Sequence, residues 1–355
     1  MEIKIACIAG EGIGPEILES TKKVINKVAQ LYGHTIIYID CIVGSEAVNI
    51  GKDPFDEEAY DLCEECDGIL LGNMWMHLNP ELPKEKRPSA LLGLIRKKFN
   101  LSINIRPNYI FEGLEDLSPL KENVIQSGFD VTLIRDLAGG ELTGERYRDE
   151  DKAYDVDLYT KEQILNLAKF GFETSLKRKC HMTFLDKAVI LESSRFSREI
   201  IQKEEKQYPN VSVRYQHIDD AASEIVLHPN HYDVIITNGM FGDILADEIA
   251  GLSGIQKMLP SAELNVDGFG LYTPNNLHNT DANINRDESN PIGLIMASAM
   301  LFRYSLDLEQ EAQCIENAVS QVLKIGYCTK DFNGNNRNEL STSEFVSKII
   351  KEMKR

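Results

Sequence analysis

Positive charge is what this chain has least of: 38 Lys and Arg stand against 56 Asp and Glu, a formal net charge of −18. That balance excludes the sequence-independent grip on nucleic acid, which needs cations to displace counterions from phosphates. It also argues against an anionic membrane surface. Any anionic ligand must find its own local basic cluster. Long apolar runs are missing too: the longest, residues 291–302, is too short to cross a bilayer. Cysteine is sparse and odd in number, seven in 355 residues, which fits free thiols in a reducing cytoplasm better than a disulfide framework. Residues 1–8 alternate like a first strand and do not read as a signal peptide. There is one Trp, and no internal repeat or low-complexity stretch.

What is present can bury a large core. A hydrophobic fraction of 43 % over this length predicts two domains or one large α/β unit. After the first strand, Gly10-Glu11-Gly12-Ile13-Gly14-Pro15-Glu16 gives a tight turn with Pro15 placed to open a helix and Gly33 to stop it. A second strand is expected at residues 35–40. This opening is similar to a nucleotide-binding βαβ unit, but GxGxG is not the full GxGxxG fingerprint. The loop Asn73-Met74-Trp75-Met76-His77 leaves a buried strand, either lining a ligand crevice or forming a Trp–Met packing patch. Cys63-Glu64-Glu65-Cys66 is a lone CxxC, to be read as two helical cysteines near a core face before any redox or metal role.

Three arginines end elements: Arg96 closes a helix, and Arg106 and Arg135 close short apolar strands. In so acidic a chain they suggest a carboxylate site, which guanidinium grips through two bonds, although each alone is more often a surface ion pair. Lys187 lies in the apolar run 184–191, either desolvated into a general base or paired with Asp186. The strand at residues 232–237 leads through Asn238-Gly239 into a helix carrying Asp243 and Asp247 on one face. Asp243 is expected in the opening turn, where the macrodipole favours a carboxylate. The pair is either a solvated acidic turn or half of a site for Mg²⁺ or Mn²⁺. Asp219-Asp220 follows another strand, and residues 144–159 read as an exposed, Tyr-containing arm.

Taken in order, GEGIGPE at 10–16, RPSALLGLIRK at 87–97, NIRP at 104–107, IRDLAGGE at 134–141, LDKAVILE at 185–192, HIDDA at 217–221, FGDILAD at 241–247 and SNP at 289–291 resemble the isocitrate/isopropylmalate dehydrogenase family. The resemblance spans nearly the whole chain and feels nearest to isopropylmalate enzymes. It implies a two-domain α/β fold with a shared mixed sheet flanked by helices, not a standard Rossmann fold. It divides the chain into residues 1–101 plus 255–355, on the cofactor side, and residues 102–254, which carry metal ligands, dimerise, and extend a clasp arm near 140–160. It implies a cytoplasmic homodimer whose active sites draw on both subunits.

Residue by residue, the resemblance assigns Arg96, Arg106 and Arg135 to substrate carboxylates, with Ser89 and Leu92 facing the variable group. Asp243, Asp247 and a partner-derived Asp219 would hold Mg²⁺ or Mn²⁺, and Lys187 would be the base. His278, Asp281 and Asn290 would line the adenosine side of NAD, with Asp281 favouring NAD over NADP. The implied reaction is oxidative decarboxylation of a 3-substituted malate. Leu142 stands where the family carries a proton-donating Tyr, with Tyr147 nearby as a substitute. That departure keeps open a non-catalytic or regulatory homologue, or an isocitrate-, homoisocitrate- or tartrate-type enzyme with an altered protonation step.

Overall fold

A computed structural model describes residues 1–74, 82–275, 286–330 and 337–355. The chain divides into two units, Met1–Asn100, Phe111–Leu117 and Gln256–Arg355 forming the first and Leu101–Ile110 and Ser118–Ile255 the second. Each is α/β, with a mixed sheet flanked by helices.

The first unit opens with β1 (Glu2–Gly10), α1 (Gly14–Tyr32) and β2 (Thr35–Asp40). Gly33 ends α1 at φ 81°, a left-handed cap that suits glycine. Next come α2 (Gly44–Asn49), α3 (Glu57–Glu64), β3 (Gly68–Asn73) and α4 (Leu91–Lys98). Asp56 caps α3 by accepting from Ala59 N–H. β1 pairs in parallel with β2 and with β3, so the three strands end on one side. Gly10 sits at φ +70°, and a Cβ there would lie 1.7 Å from the Asn73 carbonyl oxygen. Only glycine lets the turn after β1 press against the end of β3.

The second unit comprises β4 (Ile103–Tyr109), α5 (Glu122–Gln126), β5 (Asp130–Asp136), β6 (Arg146–Arg148), β7 (Ala153–Asp155), α6 (Lys161–Leu176), β8 (His181–Asp186), α7 (Glu192–Glu204), β9 (Ser212–His217), α8 (Ile218–Leu227), β10 (Val234–Thr237) and α9 (Gly239–Ser253). Its sheet runs β4-β5-β10-β8-β9. The first pair is antiparallel and the rest are parallel. Val131, Leu133, Leu185 and Ile235 of the sheet pack with Ala221, Ile225, Leu245 and Ile249 of α8 and α9 in one core cluster. β6 and β7 form a small antiparallel hairpin whose residues are all exposed.

The chain returns to the first unit with β11 (Pro260–Leu264), β12 (Gly270–Pro274), α10 (Ile292–Tyr304), α11 (Glu309–Lys324), β13 (Tyr327–Thr329), β14 (Asn338–Leu340) and α12 (Thr342–Glu352). β12 joins β3 in parallel and pairs with β11 antiparallel. α10 is buried from Ile292 to Phe302, so its apolar run is a core helix. No described helix is long and apolar enough to cross a membrane.

Candidate functional site

In the second unit, strand register sets the geometry. Arg135 of β5 lies between Asn104 of β4 and Thr237 of β10. Helix α9 follows β10 directly and passes over Arg135. A Cβ on Gly242 would come 2.5 Å from Arg135 Cβ, so that crossing requires glycine. Arg135 is only 4 % exposed; its Nε donates to Asn104 Oδ1 at 3.0 Å and its Nη1 to the Gly239 carbonyl at 3.3 Å.

The same guanidinium reaches Asp243 at 2.5 Å, and Arg106 lies 2.9 Å from Asp247 and 3.7 Å from Asp243. Two arginines and two aspartates therefore form one cluster. The carboxylates are its exposed side and the guanidiniums its buried side. Arg106 Nε is buried without a hydrogen-bond partner, a donor that an incoming anion can satisfy. One expectation needs correction: α9 begins at Gly239, so Asp243 lies beyond its first turn, which holds no acidic residue. Arg106 and Arg135, not the macrodipole, offset its charge.

Lys187 and Asp219 form a second cluster. β8 and β9 run parallel with Asp186 opposite His217, so the residues just past both strands emerge side by side. Lys187 Nζ donates to Asp219 Oδ1 in a short bond. The Lys187 ammonium holds the Asp219 carboxyl below the usual carboxylate range. Lys187 is not paired with Asp186, which is fully buried and gripped by Arg198 through two bonds of 2.6 and 2.8 Å. Nor is the apolar run around Lys187 buried throughout: Val189 and Ile190 beyond it are exposed.

Leu142 ends a single 3₁₀ turn, Gly140–Leu142, and lies against Gly239, where a Cβ would meet Leu142 Cδ1 at 2.6 Å. The Gly239 N–H donates to the Tyr159 hydroxyl at 3.3 Å. Tyr147 is on the exposed hairpin, its hydroxyl donating to Asp149 at 2.8 Å. Beside this turn, Asp136 accepts from the Gly139 N–H at 2.6 Å while its Oδ1 is buried with no partner. Burial pushes the Asp136 carboxyl up from 3.8 to about 6.

In the first unit, Arg96 lies in the last turn of α4, and Leu92 stands one turn earlier on the same helix. Both Arg96 Nε and Nη2 donate to Glu263 of β11, at 2.8 and 2.6 Å. Ser89 lies in a 3₁₀ turn just before α4. Asn290 is buried, and its Oδ1 accepts from the Ile292 N–H at the start of α10. Glu16 of α1 accepts from the Asp287 and Ser289 N–H groups and from the Thr342 hydroxyl, which fixes the segment leading to Asn290. His278 and Asp281, and the loop residues Trp75, Met76 and His77, lie outside the described residues. A cavity of about 170 Å³ opens where β1, β2 and β3 end, lined in part by Gly10, Glu11, Asp40, Cys41 and Asn73.

The structure thus brings together Arg106, Arg135, Asp243 and Asp247, and separately Lys187 and Asp219. Sequence reasoning missed Glu263, Asn104, Asp136, Tyr159 and Glu16. Tyr159 and Glu263 carry no local signal, since their partners are distant in the chain. Glu16 was visible as a first-turn acid, but its loop partners were not. Among the described residues no group of three or more His, Cys, Asp or Glu converges to hold a metal ion. The donor chemistry of Asp243 and Asp247, two hard oxygens one helical turn apart, suits Mg²⁺ or Mn²⁺ provided water, substrate or another chain completes the shell.

The sequence profile described as isocitrate/isopropylmalate dehydrogenase matches residues 4–349. The 3-isopropylmalate dehydrogenase of Photobacterium profundum is 38 % identical over 98 % of this chain and 97 % of its own length. That of Carboxydothermus hydrogenoformans is 40 % identical over 92 % of this chain and 88 % of its own. Among solved structures, a β-decarboxylating dehydrogenase from Thermococcus kodakarensis superposes with a TM-score of 0.79 at 28 % identity, covering 99 % of this chain and 96 % of that one. The isocitrate dehydrogenase of Methylococcus capsulatus reaches a TM-score of 0.83 over 99 % and 100 % of the two chains at 24 % identity, a likeness of fold alone. A match this long, joined to a guanidinium–carboxylate cluster assembled from the motifs that first suggested it, means that the chain belongs to the isocitrate/isopropylmalate dehydrogenase family.

Proposed function

We propose that the protein is an NAD-dependent dehydrogenase that oxidises and decarboxylates a 3-substituted malate, a 2-hydroxy diacid similar to 3-isopropylmalate. The observation that carries this reading is the cluster of Arg106, Arg135, Asp243 and Asp247, with a buried Arg106 Nε still unpartnered. It offers hard oxygens for a cation and guanidiniums for carboxylates within one side-chain network.

When bound, Mg²⁺ or Mn²⁺ supplies Lewis-acid polarisation of the 2-hydroxyl and, later, of the ketone oxygen, while NAD accepts the hydride from C2. The chain's own groups do the rest. Asp243 and Asp247 would hold the cation, which would free Arg106 and Arg135 from the pairs they make here. Those two arginines, with Arg96, then take the substrate carboxylates. Ser89 and Leu92 face the substituent on C3. Lys187, from the partner protomer, removes the hydroxyl proton directly or through water. Asp219, paired with Lys187 in this structure, would complete the cation's ligands. Loss of CO₂ follows because the new ketone lies β to the departing carboxylate, and a proton must finally reach C3. His278, Asp281 and Asn290 are assigned to the adenosine side of NAD.

The dimer in this reading has support on the surface of the second unit. Val189 and Ile190 after β8, Val226 and Leu227 of α8, and Met240 and Ile244 of α9 are exposed apolar side chains, from 37 % to 67 % accessible. A second copy of the chain is the occupant proposed for them.

A second reading, a ligand-binding homologue that does not turn over, is favoured by one observation: Leu142 occupies the position beside Gly239 and has no proton to donate. One assay separates the two. Purified protein with Mn²⁺, NAD and a panel of 3-alkyl and 3-carboxymethyl malates is expected to yield NADH and CO₂ in equal amounts. Absence of NADH from every substrate, with metal and diacid both shown by calorimetry to bind, would overturn the catalytic reading.

A further inference from the structure

Among the described residues, all seven cysteines are free, and six of them are buried. Two come close together. Cys41 follows β2, and its N–H donates to the Cys7 carbonyl. Cys63 lies in the last turn of α3. Their sulfurs are 3.6 Å apart, although the residues are 22 positions apart in sequence. Cys63 is fully buried and Cys41 is 6 % exposed. Cys41 nevertheless lines the cavity at the ends of β1, β2 and β3 and Cys63 does not, so a small molecule in that cavity meets Cys41 before Cys63.

The two thiols are not equivalent. The contact between the two sulfurs draws the Cys41 thiol below its ordinary range, while the same contact and burial push Cys63 up. Cys41, which lines the cavity, is the nucleophile, and Cys63, which does not line it but lies 3.6 Å away, is the resolving thiol. The CxxC motif visible in the sequence is not the reactive unit. Cys66 lies two residues past the end of α3, in the turn that leads to β3. Cys66 also turns its Sγ toward the Leu62 carbonyl at 3.2 Å.

We propose that Cys41 and Cys63 are an oxidisable pair, converted to a Cys41–Cys63 disulfide by a hydroperoxide that enters the cavity. The Cys41 thiolate attacks one peroxide oxygen and the O–O bond breaks. The other oxygen leaves with the Cys41 proton as water or an alcohol, and Cys41 becomes a sulfenic acid. The Cys63 sulfur then attacks the Cys41 sulfur and the S–O bond breaks. The departing hydroxide takes the Cys63 proton as water. Two sulfurs are oxidised and one peroxide is reduced by two electrons. The bond ties the turn that forms the cavity wall to α3.

The test reads sulfur chemistry and needs no turnover, so it stands apart from the reaction proposed above. The full-length reduced protein is treated with hydrogen peroxide, its remaining thiols are alkylated after denaturation, and its peptides are mapped without reductant. The expected result is a protein about 2 Da lighter before alkylation. Two thiols should be protected, and a Cys41–Cys63 linked peptide should disappear with dithiothreitol. In Cys63→Ser, oxidation should stop at a Cys41 sulfenic acid that dimedone traps. Oxidation confined to the half-buried Cys180, a Cys63–Cys66 linkage, or a Cys41 that dimedone never labels in Cys63→Ser would each overturn the proposal.

Discussion

Arg96 and Glu263 hold each other through two parallel bonds, Nε to Oε2 at 2.8 Å and Nη2 to Oε1 at 2.6 Å. Glu263 is 4 % exposed. A guanidinium held by a carboxylate of its own chain is already neutralised before a substrate carboxylate arrives. Under the proposed reaction, Glu263 therefore competes with the substrate. Glu263→Gln is expected to lower KM for a hydroxy diacid by about tenfold, or about 1.4 kcal/mol, with kcat nearly unchanged. A raised KM would show instead that Glu263 positions Arg96 for its ligand.

Leu142 offers no proton at the position beside Gly239. Leu142→Tyr is expected to raise kcat by about 10² if protonation of C3 limits turnover, the scale typical of a positioned acid. NADH release and CO₂ release, followed together, check this. If wild type is already fast and the variant is no faster, another group, or water, delivers the proton.

The bond between Lys187 and Asp219 gives a third expectation. Lys187→Met should cut kcat by about 10²–10⁴ while leaving the affinity for Mn²⁺ and diacid close to wild type. Asp219→Asn should instead weaken Mn²⁺ binding, because it removes an ionised oxygen ligand. Titration of each variant with Mn²⁺, followed by turnover at saturating metal, separates the two effects. Equal effects of both substitutions on metal affinity would contradict the assignment of roles.

Asp136 makes stability depend on pH. Burial pushes its carboxyl from 3.8 to about 6, so the folded chain holds this proton more tightly than the unfolded chain. Stability is then greatest while both states are protonated. It falls as pH rises through the interval from 3.8 to about 6, and levels off above that. A shift of about two units corresponds to about 3 kcal/mol. Asp136→Asn keeps an oxygen for the Gly139 N–H but cannot ionise. Its stability relative to wild type, measured by urea unfolding across this interval, should improve by that order as pH rises. A constant difference would place the effect elsewhere.

Much of this molecule was legible along the chain. Local rules placed β1, α1 and β2, because alternation, Pro15 and the cap at Gly33 act within a few residues. They also showed which strands deliver Arg135 and Asp219 to their ends. They failed where a neighbour lay far away in sequence. Adjacency in the chain offers Asp186 as the partner of Lys187, but the alternation of β8 sends Asp186 inward to Arg198, and the parallel register of β8 with β9 brings Asp219 alongside. The start of α9 at Gly239 moved Asp243 past the helix's first turn and onto Arg135.

The sequence by itself determined the α/β alternation, the family, and the acids and arginines available for chemistry, since each follows from residue type and short-range spacing. Only the tertiary structure decided which charge meets which. Strand order sets those meetings: it joins Arg135 to Asn104, Asp243 and Gly239, closes Arg96 on Glu263, and brings the sulfur of Cys41 to that of Cys63. Pairings over such distances depend on how strands and helices pack, and no local pattern encodes them.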